Sequence, residues 1–325
     1  MSLDKTRFLL YTTMQCNMQC AYCYETDHSS TFTLEELKAN ADQIFLNFDG
    51  LAEVEFFGGE PLLRFDLLQA AYQYIEENYG QKVKKYSVVS NGTICNAEIV
   101  DFLNKTKGRV KLTISIDGDE SNNSWRVFKD GSASFRPVVD NSRAYLAEGC
   151  NPNAHMVTHP RNVQELYTGA RFLYSLGFKH IDIGIVKDTG SVVYRKPNPV
   201  PGGEISESFE AFCAILRTEL EKLSLYVAEH PDLYCSMFEH RKQRGNQYVY
   251  AGDGSKTQFG QIKISNDGEG TDTLISHIDT SRITHEQLEN LPNVESTDPV
   301  NKLILDLHMY IFDLHQYHLR GFRCP

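Results

Sequence analysis

From Arg7 to about Lys187, short apolar runs alternate with longer amphipathic ones, and this alternation narrows the possible folds more than any other feature. The short runs predict strands over 8–12, 54–57, 86–89, 111–116, 154–158 and 180–185. The stretches between them carry helical periodicity over 34–48, 62–79, 97–105, 138–148 and 163–176. Thr33-Leu-Glu-Glu36 has the spacing of a capping box and starts the first helix. Gly177 stands where a glycine ends the fifth. Strands separated by helices imply a parallel sheet wrapped by helices. Six such units make an α/β fold of partial (β/α)6, TIM-like barrel type, in which sites gather at the carboxyl ends of the strands.

The first strand runs into Cys16-Asn-Met-Gln-Cys20-Ala-Tyr-Cys23. Three thiolates on one short loop can hold three corners of a cubane iron–sulfur cluster and leave one iron without a protein ligand. A tetrahedral zinc site completed by His28 is the competing arrangement, although structural zinc sites favour C-x2-C pairs. Three reduced core cysteines are disfavoured by the polar neighbours Gln15, Asn17 and Gln19.

The second strand enters Gly58-Gly59-Glu60-Pro61. Glycines permit close backbone approach, and Glu60 can accept from an ammonium group. An ordinary strand-to-helix turn, with proline at the first helical position, explains the same residues. The third strand ends in Ser90-Asn91-Gly92-Thr93 and the fourth in Ser115-Ile116-Asp117-Gly118. Short polar side chains beside glycine suit ribose hydroxyls and a carboxylate, and are also common turn formers. Arg126 carries a planar fork suited to a carboxylate, or lies on the surface.

Cys16, Cys20 and Cys23, with aromatic Tyr22 before the third cysteine and Gly58-Gly59-Glu60-Pro61 one βα unit later, resemble the radical S-adenosylmethionine (radical SAM) superfamily. The resemblance extends to about residue 190. It implies a [4Fe–4S] cluster on the three cysteines and S-adenosylmethionine (SAM) chelated at the open iron. Reductive cleavage of SAM then releases a 5′-deoxyadenosyl radical that abstracts a substrate hydrogen. It also implies SAM contacts at Tyr22, Gly58, Gly59, Glu60, Ser90, Asn91, Ser115 and Asp117. Arg126 to Phe135 matches the R-x4-G-x-x-x-F stretch, with Arg126 as a carboxylate clamp, and Ile183 would pack against adenine. An external electron donor such as a flavodoxin or ferredoxin is implied as well. No residue is identified as a second acid or base.

The formal net charge of −11 disfavours nonspecific binding to a nucleic-acid backbone. Neither a signal-peptide core nor an apolar run long enough to span a membrane occurs, so a cytoplasmic location is expected. There, eight cysteines are expected as ligands or free thiols.

Residues 1–190 are expected as the barrel, 191–204 as a Pro/Gly-rich linker and 205–325 as a smaller α+β domain. Within the last, 205–229 is helical, with Cys213 as a core thiol, and three short strands surround Asp267-Gly268. This part resembles the SPASM/twitch extension of peptide- and protein-modifying radical SAM enzymes, the sulfatase-maturating ones included. Thr273 stands where that extension has a cysteine, which implies loss of an auxiliary cluster. A helix over 299–320 leads to His315, His318 and Cys324, whose spacing echoes the cysteine set of the extension. The resemblance favours a peptide or protein side chain as substrate. A small molecule such as a nucleoside or sugar is the rival within catalysis, and a non-catalytic iron–sulfur or zinc module the rival outside it.

Overall fold

The computed structural model describes residues 6–23, 25, 28–46, 48, 50–185, 209–238, 247–250, 260–264, 273–278 and 314. Six βα repeats open the chain. Strands β1 (Thr6–Thr13), β2 (Ala52–Gly58), β3 (Val83–Ser90), β4 (Val110–Ser115), β5 (Asn153–Thr158) and β6 (His180–Ile185) pair in sequence order, all parallel. Helices α1 (Leu34–Leu46), α2 (Phe65–Tyr79), α3 (Ala97–Lys105), α4 (Phe135–Ala147) and α5 (Leu166–Leu176) connect them. A sheet order that never reverses, with right-handed crossovers, puts every helix on the same face. The sheet therefore curls as part of a barrel.

Burial follows the pleat. Phe8 and Leu10, Val54 and Phe56, Tyr86 and Val88, Leu112 and Ile114, and Ala154 and Met156 are buried in the core. Residues between them turn to the inner face, which is polar: Arg7 pairs with Glu53 and Glu55, and Ser87 donates to Glu55.

The predicted helix starts have local causes. Thr33 N donates to Glu36 Oε2 at 2.6 Å, and Glu36 N donates to Thr33 Oγ1 at 3.3 Å, which closes the capping box. Gly177 ends α5 with φ +118°, in the left-handed region. The second and fifth helices begin differently from the periodicity. Short 3-10 turns, Pro61–Arg64 and Val163–Glu165, precede α2 and α5. Apolar spacing reports which face is buried and cannot separate a tight first turn from an α turn.

Helix α6 (Phe209–Glu229) buries Phe212, Cys213, Leu216, Leu220 and Leu223, as expected for Cys213, and packs on α5. Tyr167 N donates to Glu219 at 3.1 Å across this contact. A two-residue strand, β7 (Tyr234–Cys235), then pairs with β6. The backbones of β8 (Gln247–Tyr250), β9 (Gly260–Ile264) and β10 (Thr273–Ile278) continue the same sheet beyond β1. Of these, β8 lies parallel to β1, and β9 is antiparallel to both β8 and β10. The expected domain boundary near 190, the linker, and the helix with His315, His318 and Cys324 lie outside the described residues.

Candidate SAM and cluster site

At the carboxyl end of β1, Cys16, Cys20 and Cys23 are half-buried and free of disulfides. Burial raises the Cys16 thiol, and it pushes Cys20 up to about 12 against the pull of Arg126. Each of these two thiols also feels the other's neighbour Cys23, so the three lie close enough to repel one another as thiolates. Iron would relieve that repulsion, and its binding would release protons. Cys16 Sγ accepts from Met18 N at 3.4 Å and from Asn91 Nδ2 at 3.8 Å. Among the described residues no three His, Cys, Asp or Glu side chains converge on a single ion position, so the zinc arrangement with His28 is not assembled here. A cubane offers separate irons to its ligands, and a trio of clustered, half-buried thiols with sulfur-directed donors fits it.

The two glycines after β2 bring the loop down. A side chain at Gly58, whose φ is +129°, would meet Thr13 O at 2.1 Å, and at Gly59 it would meet Met14 O at 2.3 Å. In their place run backbone bonds, Gly59 N to Thr13 O at 2.9 Å and Glu60 N to Gln15 O at 2.8 Å. The close approach read from the sequence is therefore made by the cysteine loop itself.

Glu60 is fully buried and receives three protein donors. Leu62 N and Ser90 Oγ donate to Oε1 at 3.0 and 2.9 Å, and Asn91 N donates to Oε2 at 2.5 Å. Burial pushes its carboxyl up to about 7 despite these bonds. Asn91 in turn donates to Asn17 Oδ1 at 2.8 Å and accepts from Thr93. The ends of β2 and β3 thus lock onto the cysteine loop.

A second network joins β4 and β5 to that loop. Tyr22 Oη donates to Asp117 Oδ2 and accepts from Arg126 Nη1, both at 2.7 Å. Val157 N donates to Asp117 Oδ1 at 3.0 Å. Burial raises Asp117 to about 6, opposed by Arg126. Arg126 is buried, not on the surface, and its Nε has no partner among the described residues. Ser115 is half-buried at the end of β4, and its hydroxyl has no partner there either. Ile183 alone of the expected residues is set apart, because the period-two alternation of β6 turns it into the core beside Ile181.

Two residues escaped the sequence reading. Trp125 and His159 stack face to face at 3.9 Å with planes 4° apart, and Tyr22 tilts against His159 at 5.6 Å. A histidine one residue past a strand's carboxyl end was the available cue.

The family model described as the radical SAM superfamily matches residues 10–173, about half of the chain. An uncharacterized protein of Methanocaldococcus jannaschii, MJ0907, is 25% identical over 291 residues, covering 89% of this chain and 92% of its own. The subtilosin biosynthesis protein AlbA of Bacillus subtilis is 27% identical over 55% of this chain and 39% of its own. A probable GTP 3′,8-cyclase of Methanocella arvoryzae is 28% identical over 47% of each. The chain thus spans less than half the length of these two. Among solved structures, anSMEcpe with bound AdoMet superposes with a TM-score of 0.73 at 14% identity, covering 98% of both chains. That superposition shows the barrel-type α/β fold. With the family match added, the chain belongs to the radical SAM superfamily, enzymes that use a [4Fe–4S] cluster and S-adenosylmethionine.

Proposed function

We propose that this enzyme modifies a side chain of a peptide or protein. The observation that carries the chemistry is the convergence of the cysteine loop with the ends of β2, β3, β4 and β5 through the Glu60 and Asp117 networks. Support for the substrate class is the similarity to AlbA, which serves biosynthesis of a bacteriocin. When bound, the cluster and SAM supply a 5′-deoxyadenosyl radical for hydrogen abstraction.

The chain's own residues would divide the work. Cys16, Cys20 and Cys23 would hold three irons. The Ser115 hydroxyl and the bare Arg126 Nε would receive polar groups of SAM, with Arg126 matched to the carboxylate by its fork. Glu60 keeps one Oε2 lone pair for the SAM ammonium while its other bonds hold Ser90 and Asn91 in place. Asp117 would hold the Tyr22 ring fixed. An external electron donor, a flavodoxin or ferredoxin, would supply the reducing electron.

Anaerobic reconstitution tests the reading. One cluster corresponds to about four irons per chain. SAM cleavage to 5′-deoxyadenosine should vanish in Cys16→Ala. A peptide encoded beside this chain's gene should raise that cleavage, and GTP should not. Zinc without iron–sulfur absorption would overturn the enzymatic reading. Stimulation by GTP alone would replace the peptide with a nucleotide, the chemistry named for the Methanocella relative.

A further inference from the structure

His159 sits directly beyond β5, fully buried and clamped between rings. Trp125 covers one face at 3.9 Å, and the Tyr22 ring stands 5.6 Å away at a 39° tilt. Its Nδ1 accepts from Arg161 N at 3.2 Å, which leaves the ring proton on Nε2. Burial holds the imidazole neutral by lowering it to about 3. Nε2–H is then a buried donor, and among the described residues it has no acceptor. Buried polar groups are rarely left so unless a ligand or water completes them.

The surroundings say which. Tyr22 lies between Cys20 and Cys23, and its hydroxyl is tied to Arg126, whose Nε is a second bare, buried donor. Two donors without acceptors thus border one tyrosine ring of the cluster loop. A ligand chelated at the iron that lacks a cysteine lies against this loop.

We infer that His159 is a SAM-binding residue, donating through Nε2–H to an acceptor atom of the bound molecule. The inference rests on the cluster-and-SAM reading of the site. It adds a contact from β5 to those from the strands before it. The Trp125 stack and the Arg161 bond fix the ring in advance, so binding costs no rotamer freedom at this position.

Trp125 is the chain's single tryptophan, so its emission reports this ring stack. Calorimetry on the anaerobically reconstituted full chain, with SAM as titrant, is the primary measurement. His159→Phe keeps the stacked ring and removes the donor. It should retain iron and weaken SAM binding at least tenfold. His159→Gln, which keeps an N–H donor, should lose less. Saturating SAM should also change Trp125 emission in the unsubstituted protein. Unchanged affinity in an iron-loaded His159→Phe protein would overturn the inference, with a buried water or the Tyr22 ring as the acceptor. If that variant fails to fold, unaltered Trp125 emission under calorimetrically proven SAM binding would overturn it instead. An iron-loaded protein that binds no SAM at all would overturn the underlying reading as well, and so separates the two failures.

Discussion

Glu60 holds the site together as much as it faces a ligand. Its three donors come from the turn after β2 and from the end of β3, so one carboxylate links two strand ends. A buried carboxylate is expensive to ionise, and three hydrogen bonds only partly offset that. The folded group titrates at about 7 against an ordinary 4.5. Between those values the folded chain keeps a proton that the unfolded chain has released. Its contribution to stability is therefore full below about pH 4.5 and is lost as pH rises through 7. In cluster-free protein the melting temperature should fall more steeply from pH 5 to 8 than in Glu60→Gln. The variant should start lower, because its amide nitrogen would face the Asn91 N–H. Parallel pH profiles for the two proteins would show that Glu60 is ionised throughout. Glu60 as a site residue was legible in the sequence from the Gly-Gly-Glu-Pro run. Its burial and its tie to Ser90 were not, since thirty residues separate the partners.

At the scale of elements, the turns after the strands do the positioning. Gly59 has no left-handed φ to justify it, only crowding: a Cβ would stand 2.3 and 2.4 Å from the carbonyls of Met14 and Gln15. Backbone cannot give way as a side-chain tip can, so Gly59→Ala must displace the cysteine loop, at an overpacking cost of about 1–3 kcal/mol. We expect the variant to fold and to retain well under half of the wild-type iron after reconstitution and gel filtration. Full iron retention would mean that the loop is not seated by this turn. Capping boxes and strand runs could be read in advance because their causes lie within a few residues, as at Thr33 and Glu36. The 3-10 starts at Pro61–Arg64 and Val163–Glu165 could not, because packing against the sheet selects them.

Across the whole molecule, the six repeats are not self-sufficient. Phe212, Leu216, Leu220 and Leu223 of α6 are at most 1% exposed. Each such side chain contributes about 1.5–3 kcal/mol on burial. Together they approach roughly 10 kcal/mol, which is of the order of a domain's entire stability, about 5–15 kcal/mol. Strand β8 moreover pairs with the outer edge of β1, the strand that delivers the cysteines. A chain cut after Ile185 should therefore lose cooperative unfolding and near-ultraviolet circular dichroism, whereas the full chain keeps both. A monomeric, cooperatively melting 1–185 fragment would show instead that α6 and β8 only decorate the barrel.

The sequence by itself determined the repeat of strands and helices, the cysteine loop and the residues at four strand ends. Those signals are local, set by periodicity and by motifs a few residues long. Only the tertiary structure decided how the side chains face. It turned Ile183 into the core, buried Arg126, set the cysteine loop on two glycines, and left His159 with a bare N–H beside Tyr22. Facing depends on partners distant in the chain, such as Tyr22 with Asp117 and Arg126, which meet only when the sheet closes around them.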